Sequence, residues 1–310
     1  MRRLRLAYRD NDRVAVLACI REIARRHYDL DVQVVQITGG KEYEAALFNG
    51  SADVITEHLE YLYAEAAKGE KITMFCAPSK GGALELVVPG HVNGVDDLTG
   101  GTLAVRSSGQ PHAVTLWLRM LGLDKEVRTL IVGDGEVGRW GQWKKVVGGE
   151  CIATLISPLY LPPALSAGLK VLPVPHIPIV GHFAQACLSR FARENSDLLG
   201  DYVKAIIHAL CWMTLSRDEA LEVVSKELME RMKIKDQKEL ERQFDSIVGG
   251  LKTRPYPTPE AVANTFEIAT LEYPESKGLN PLSLWDLHWV KQLDDEGFID
   301  SLIEELSCKR

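Results

Sequence analysis

The sequence predicts an α/β protein with two units, each a mostly parallel sheet flanked by helices, and a helical carboxyl-terminal region. Three observations support this prediction. Strand-length apolar runs alternate with helical patterns up to about residue 80, and a second alternation follows the Gly81-Gly82 pair. From Phe191 onward, apolar residues recur at helical spacing over most of the chain. Alternation of strand and helix favours a parallel sheet with helices on its faces.

The first unit is predicted to contain four strands and two helices. Each strand is a short run rich in Val, Ile and Leu, and the second helix ends at Asn49-Gly50, a pair typical of helix carboxyl ends. The helix patterns cover residues 14–27 and 41–49. The predicted strands are residues 4–8, 31–37, 52–56 and 72–77.

The second unit begins with an extended run over residues 83–89. A strand is predicted at residues 102–105, and a helix begins near Pro111, a residue that suits a first helical turn. Prolines at 162, 163, 173 and 175 predict extended loops rather than a helix. The remaining predicted strands are residues 129–132, 151–156 and 169–172.

The carboxyl-terminal region is predicted to be helical. Thr258-Pro259-Glu260 is a favourable helix start, because a hydroxyl can cap the first turn and proline fits the first helical position. These elements divide the chain into a first lobe at residues 1–85, a second lobe at 86–178, and a return to the first lobe with the final helices at 179–310. The predicted helices are residues 196–215, 216–226, 236–248, 258–271 and 283–306.

Composition restricts the classes of partner. The 310 residues carry a formal net charge of -7, which argues against nucleic acid because phosphate binding needs clustered Lys and Arg. Six cysteines stand singly, without the spacing of metal ligands, so neither a metal nor another cofactor is expected. No membrane insertion is expected. The sequence carries no signal for a particular oligomeric state.

The first residues alternate apolar and charged side chains and lack both an apolar core of a signal peptide and a small-residue cleavage site. This pattern predicts a cytoplasmic protein, or a periplasmic one if a leader has been removed. Reduced, mostly buried thiols are expected in the cytoplasmic case.

A possible anion cradle lies between the strand at residues 102–105 and the following helix. Ser107, Ser108 and Gly109 supply hydroxyls and backbone N–H groups at a helix start, where the helix dipole favours negative charge. His112 lies in the first turn of the same helix and can reach a ligand or remain in solvent. The alternative for the two serines is ordinary helix capping.

The order of elements resembles the type II periplasmic solute-binding protein fold, in particular its sulfonate, taurine and thiamine-pyrimidine-precursor branch. The most specific fragments are residues 47–54, LFNGSADV, and residues 95–105, VDDLTGGTLAV, with support from residues 194–209. Residues 148–153 depart from the family pattern, because no aspartate precedes Ala153. The fungal cysteine-rich iron motif is missing from the sequence, which argues against thiamine-pyrimidine synthesis.

This resemblance implies two lobes with ligand bound in the cleft between them, at the loops that follow the carboxyl ends of parallel strands. A small anionic organic molecule, such as a carboxylate, a sulfonate or a heterocyclic acid, is the expected partner. The expected ligand-binding residues are Tyr8, Arg9, Asn11, Asp12, Arg13, Gly39, Lys41, Glu57, His58, Ser107, Ser108, Gly109, His112, Glu136 and Ser157.

A second, narrower resemblance is to the 4,5-dihydroxyphthalate decarboxylase-like proteins. Residues 8–13, YRDNDR, resemble their D-Y-D-R opening, and residues 54–61, VITEHLEY, place Glu57 where they carry a glutamate. This resemblance implies an alternative function, a cytoplasmic decarboxylase or lyase of an aromatic or heterocyclic acid. Glu57 and His58 would then be catalytic, because a carboxylate beside an imidazole can exchange a proton.

Three aromatic residues have two possible roles. Trp140, Trp143 and Tyr160 can stack on an aromatic ligand, or they can fill the core of the second lobe. Binding of a small organic anion is the first functional hypothesis, and decarboxylation is the alternative.

Overall fold

A computed structural model describes residues 1–9, 14–57, 59–81, 84–106, 110–181, 183–232 and 234–308. The chain divides into two compact units, which are described separately. Unit 1 comprises Met1–Gly81, Ile179–Ala269 and Tyr273–Arg310, and unit 2 comprises Gly82–Pro178 and Thr270–Glu272.

Within the described residues, ten strands form two five-stranded sheets, one in each unit. In chain order the strands are β1 (Arg2–Tyr8), β2 (Leu30–Gln36), β3 (Val54–Thr56), β4 (Ile72–Cys76), β5 (Glu85–Val88), β6 (Thr102–Arg106), β7 (Arg128–Val132), β8 (Ala153–Ile156), β9 (Lys170–Leu172) and β10 (Gln185–Leu188).

The helices pack mainly on the faces of these sheets and in the carboxyl-terminal region. They are α1 (Val14–His27), α2 (Gly40–Ala45), α3 (Glu60–Ala67), α4 (Gln110–Met120), α5 (Asp134–Val137), α6 (Trp143–Val147), α7 (Leu161–Ser166), α8 (Ser189–Glu194), α9 (Ser196–Leu215), α10 (Arg217–Met232), α11 (Gln237–Gly249), α12 (Pro259–Glu272), α13 (His288–Asp295) and α14 (Phe298–Ser307).

The two sheets have the same pattern of strand directions. The order is β2-β1-β3-β10-β4 in unit 1 and β7-β6-β8-β5-β9 in unit 2. Four strands of each sheet run in one direction. The antiparallel strand is β10 in unit 1 and β5 in unit 2. The predicted α/β class with two mostly parallel sheets and a helical carboxyl-terminal region is confirmed.

The core of unit 1 lies between its sheet and the long helices. α1 buries nine apolar residues and ends in Arg25, Arg26 and His27, whose position near the carboxyl end suits the helix dipole. α9 packs beside it and has 20 residues with a mean hydropathy of 1.2, so by length and composition it could cross a membrane. In the fold, 61% of that stretch is buried, and a helix that is apolar on most sides is typical of a protein core.

Two sequence-based helix assignments are wrong. Residues 161–166 form α7 although Pro162 and Pro163 predicted a loop, because both prolines lie in its first turn, where the missing N–H groups have no helical partner. The single helix predicted over 283–306 is instead α13 and α14. Gly297 separates them with a φ of 74°, a left-handed conformation that a continuous helix cannot contain.

The helices α3, α5 and α6 were also not predicted. α3 follows β3 directly, and its residues 61–64 are all buried, so its apolar residues form a continuous run rather than a helical periodicity. By contrast, the start predicted at Thr258 is confirmed, because its side chain accepts a hydrogen bond from the backbone N–H of Ala261.

Candidate functional site

The carboxyl ends of the parallel strands in unit 1 meet at one edge of its sheet. In the paired register Tyr8 lies opposite Gln36, and the pairs Leu6–Val54 and Ala7–Ile55 bring the end of β3 to the same level. The segments that follow these strands therefore emerge together. In α/β sheets this edge is where ligands commonly bind.

Tyr8 closes β1 and is 2% exposed. Its hydroxyl accepts a hydrogen bond from Nη1 of Arg231 at 2.6 Å, and the same nitrogen lies 3.4 Å from Oε1 of Gln36. Burial raises the pKa of Tyr8, and the nearby Arg231 charge partly opposes that rise. Tyr8 is thus a neutral phenol fixed between β2 and α10.

Arg9 and the start of α2 are neighbours at this edge. A Cβ placed on Gly40 would lie 3.4 Å from Nη2 of Arg9, so the guanidinium passes over the first turn of α2. The backbone carbonyl of Arg9 accepts a hydrogen bond from Nε2 of Gln36 at 3.3 Å. Gly39 is the amino-terminal cap residue of α2, and Lys41 is exposed in its first turn. The positive side chains of Arg9 and Lys41 therefore lie near the predicted Gly39.

Glu57 follows β3 and is 1% exposed, with a φ of 80° that a residue other than glycine rarely adopts. Its backbone carbonyl accepts a hydrogen bond from the hydroxyl of Tyr43 at 3.1 Å. Burial raises the pKa of Tyr43, the charge of Glu57 adds to the rise, and Arg9 opposes it. These effects place Glu57, Tyr43 and Arg9 within electrostatic reach of one another.

The sheet of unit 2 has a corresponding edge. Arg106 ends β6 and lies opposite Val132 of β7, while β8 ends at Ile156 and continues into Ser157. Ser157 is half-buried and precedes a turn of 3₁₀ helix at Pro158–Tyr160. His112 is half-buried near the start of α4. The segments that follow β6 and β8 thus contain predicted site residues.

Glu136 lies in the segment after β7, but its carboxylate pairs with Lys145. Its Oε1 is 2.7 Å from Nζ of Lys145, which also contacts Glu150 at 3.0 Å. The hydrogen bonds that Lys145 donates to these two carboxylates raise its pKa. The exposed Glu136 side chain is therefore engaged in a surface ion-pair network.

Arg106 is the feature of unit 2 that the sequence analysis missed. Its side chain is 9% exposed, and its guanidinium carbon lies 4.9 Å from the centroid of the Trp140 ring. The Trp140 ring stacks on Tyr160 with centroids 6.1 Å apart and an interplanar angle of 27°. The sequence signal was an arginine at the end of an apolar strand, directly before Ser107-Ser108-Gly109.

Arg231 was also missed, and no local signal could have found it. It lies in α10, 223 positions from Tyr8 in the sequence.

Among the parts of the chain that the structure describes, no group of three or more His, Cys, Asp or Glu side chains could hold a metal ion. Seven predicted site residues fall outside the described residues: Asn11, Asp12, Arg13, His58, Ser107, Ser108 and Gly109.

No protein-family model and no curated protein matches this chain. Solved structures do match it over nearly their whole length. The periplasmic aliphatic sulphonate binding protein SsuA from Escherichia coli is 17% identical, with 92% of this chain and 91% of that chain covered at a TM-score of 0.67.

Two further matches have related descriptions. A putative periplasmic sulfonate-binding protein of a sulfonate ABC transporter from Methylobacillus flagellatus is 15% identical, with 97% and 96% coverage and a TM-score of 0.67. The alkanesulfonate-binding protein SsuA from Xanthomonas axonopodis, bound to MOPS, is 16% identical, with 91% and 96% coverage and a TM-score of 0.59.

At these identities the matches establish the fold. The chain has the predicted two-lobed periplasmic-binding-protein fold. The decarboxylase alternative and the cytoplasmic location gain no support from these comparisons, because the matched proteins from Escherichia coli and Methylobacillus flagellatus are described as periplasmic binding proteins.

Proposed function

We propose that this chain binds a small organic anion, a carboxylate or a sulfonate, as a solute-binding protein of an importer. The observation that carries the proposal is the fold match over 92% and 97% of the chain to proteins described as sulfonate-binding. Fold alone does not determine function. The proposal therefore also draws on the chemistry at the two sheet edges.

The proposed binding residues lie at the carboxyl ends of the parallel strands. In unit 1, Arg9 and Lys41 supply positive charge, Gly39 supplies backbone N–H donors, and Tyr8 supplies a neutral phenol. The proposed set also contains Asn11, Asp12, Arg13, Glu57 and His58, and in unit 2 Ser107, Ser108, Gly109, His112 and Ser157. Glu136 is left out, because its carboxylate already pairs with Lys145 at 2.7 Å.

Glu57 is assigned a binding role rather than a catalytic one. A buried carboxylate in a left-handed backbone conformation costs about 1–3 kcal/mol in strain alone, which is typical of residues that hold a ligand or a loop in place. Glu57 lies near the Tyr43 hydroxyl and Arg9. Its carboxylate would suit a ligand that carries a positive or hydroxyl group beside the anionic group.

The proposed location is outside the cytoplasmic membrane. The matched proteins are described as periplasmic, which favours the second of the two predicted locations. An importer's binding protein must meet its solute there before transport. The membrane subunits of such an importer are the partners that this function requires.

A thermal-shift screen tests the proposed function. Protein is unfolded and refolded to remove co-purified ligand, then heated with alkanesulfonates, alkanoates, aromatic acids and neutral alcohols of equal size. A ligand that binds only the folded state stabilises it by mass action, by about 2.7 kcal/mol at a ligand concentration a hundred times the Kd. This stabilisation raises the melting temperature. We expect at least one anion to raise it and the neutral analogues to leave it unchanged.

A double variant tests the predicted cradle in the same assay. Ser107→Ala/Ser108→Ala should lose most of the anion-induced shift, whereas Ser246→Ala, an exposed helical serine of α11, should keep it. If no anion stabilises the wild-type protein, the proposed function is wrong. If the double variant keeps the full shift, the two serines only cap the helix.

A further inference from the structure

We propose that the protein forms a two-fold dimer in which the edge strand β7 of unit 2 pairs in antiparallel fashion with β7 of a second copy. The two five-stranded sheets would then form one sheet of ten strands. The dimer is a property of this edge alone and does not depend on the ligand proposed above.

The strand β7 is an open edge with apolar side chains. It lies at one end of the order β7-β6-β8-β5-β9, and within the described part of the chain it pairs with β6 alone, in a continuous register. Of its five residues, RTLIV, only Val132 is buried, while Leu130 is 37% and Ile131 is 58% exposed. Edge strands of monomeric proteins are commonly protected by lysine, proline or a bulge. β7 has none of these.

Both faces of β7 are apolar and uncovered. In the register with β6, Leu130 pairs with Ala104, whose cluster includes α6, and Ile131 pairs with Val105, whose cluster includes α4. Leu130 and Ile131 therefore point to opposite faces of the sheet, and neither helix covers the edge. A strand that is apolar on both faces is typical of a sheet interior. β7 has the composition of an inner strand at the position of an outer one.

The backbone groups of β7 determine which residues can pair with a further strand. The N–H of Arg128 donates to the carbonyl of Gly101 at 3.0 Å, so the groups of Arg128 point towards β6. Because these groups alternate in direction along a strand, those of Thr129 and Ile131 point outward. An antiparallel pair centred on Ile131 would join Ile131 to its copy by two hydrogen bonds. The same register would place Thr129 opposite Gly133.

The charges at the two ends of β7 are complementary. Arg128, in the first position, is exposed and has no ion pair among the described residues. Beyond the other end, Glu136 and Glu150 share the single cation of Lys145, at 2.7 and 3.0 Å. This cluster therefore carries one net negative charge. A two-fold axis brings the cationic end of one copy to the anionic end of the other.

The register centred on Ile131 brings these opposite charges together. Arg128 of one copy would lie opposite the start of α5 in the other copy, two residues from Glu136. Arg128 shares the face of Leu130, and Glu136 contacts Lys145 of α6 on that face. Long side chains reach such diagonal neighbours across a strand pair. The two-fold axis repeats the contact, so the dimer would contain it twice.

The same symmetry fixes the size and strength of the assembly. Both copies use the same edge, so the pairing closes at two chains and cannot grow into a filament. An interface built on one strand pair belongs to the small class, below about 1,200 Å² in total. We therefore expect association in the micromolar range.

Sedimentation velocity over a micromolar to millimolar concentration series tests the dimer. Ile131→Lys should weaken association by at least about tenfold, because it introduces two positive charges at the two-fold axis. The matched control is Leu165→Lys, at a residue 45% exposed in α7, which packs beside β9 at the opposite edge of the sheet. It should associate as the wild type does.

A charge exchange tests the predicted contact between the two ends. Arg128→Glu and Glu136→Lys should each weaken the dimer by about threefold or more, whereas the double variant should recover most of the affinity. Failure of the double variant to exceed both single variants would contradict the register.

Cysteine cross-linking gives a second measurement with nearly native side chains. In a Cys308→Ser background, whose other native thiols are buried, Ile131→Cys should form a disulfide-linked dimer with oxidised glutathione. Thr129→Cys should not, since its copy would lie roughly 13 Å away along the strand. Equal cross-linking of the two variants overturns the proposal, as does a dimer that Ile131→Lys leaves unchanged. A wild-type protein that stays monomeric throughout the series also overturns it and leaves the edge to a different protein.

Discussion

At the scale of single residues, several buried or strained groups lie at the sheet edges where ligands are expected. Glu57 has a left-handed backbone at the end of β3, and Trp140 has one after β7. Tyr8 and Arg106 are buried at the ends of their strands. Each arrangement is unfavourable in isolation, so the surrounding structure must hold it.

Gly141 is the residue on which the position of Trp140 depends most directly. We expect Gly141→Ala to destabilise the protein by about 1–3 kcal/mol, because the new Cβ would lie 2.1 Å from a backbone oxygen that cannot move freely. Urea unfolding measures the free energy of unfolding.

Gly135→Ala is the matched control for this prediction. Gly135 is in the short helix α5, and a Cβ there would have no atom within 4 Å. The stability of the Gly135→Ala variant should equal that of the wild type or exceed it by up to about 1 kcal/mol. Equal stability of the two alanine variants would contradict the role assigned to Gly141.

At the scale of elements, the segment before β3 shows why a short sequence pattern identified the fold. Asp53 accepts hydrogen bonds from the backbone N–H and from Nε of Arg5, at 2.8 and 3.1 Å, and Nη1 of Arg5 donates to the carbonyl of Gly50 at 2.6 Å. The residues after α2 are therefore fixed to β1 through one arginine fork. This contact aligns β3 beside β1 in the sheet.

Asp53→Ala should therefore destabilise unit 1 by about 1–2 kcal/mol, since the pair is only partly exposed and the fork has a carboxylate partner. Glu194→Ala removes an exposed ion pair with Arg190 in α8 and should cost about 0.5 kcal/mol or less. Urea unfolding measures both changes in the free energy of unfolding. An Asp53→Ala variant as stable as Glu194→Ala would show that this fork does not hold β3 in place.

Most elements were predictable from local patterns, and the exceptions have physical causes. α1 and α9 have the bounds that their apolar periodicity predicted, because a broad buried face imposes that periodicity. α7 departs from the prediction because its prolines lie in the first turn, where proline starts a helix instead of breaking it. The break at Gly297 was missed because periodicity continues across it.

The candidate site was less predictable than the fold. Site residues at or directly after a strand end, such as Tyr8, Glu57 and Ser157, could be predicted from the order of elements, since parallel strands bring their carboxyl ends to one edge. Arg106 and Trp140 contact each other through a loop of another strand, and Tyr8 contacts Arg231 across most of the chain. No local pattern encodes such contacts.

At the scale of the whole molecule, ion pairs within and between elements make stability depend on pH. Hydrogen bonds from Arg25 and then Arg26 lower the pKa of Glu22, although burial opposes them. For Asp201, burial raises the pKa, but hydrogen bonds from Arg2 and Lys204 outweigh it and the net shift is downward. Arg2 is in β1 and Asp201 in α9, so this pair joins the sheet to the core helix.

A carboxyl group with a lowered pKa in the folded state contributes stability above its unfolded pKa, and that contribution is lost as the pH falls through the folded pKa. The double variant Glu22→Gln/Asp201→Asn should therefore be less stable than the wild type at pH 7 and approach its stability near pH 3. The stability of the exposed control Glu70→Gln should differ from that of the wild type by the same small amount at both pH values. A double-variant difference that does not shrink on acidification would contradict this assignment.

The central claim is that this periplasmic-binding-protein fold binds a small organic anion. The most direct measurement is calorimetric titration of refolded, ligand-free wild-type protein with 1-butanesulfonate and pentanoate, beside the uncharged 1-pentanol. We expect saturable binding of one anion per chain for at least one of the two acids, and no heat of binding for the alcohol. Equal binding of the alcohol, or no binding of either acid, would contradict it.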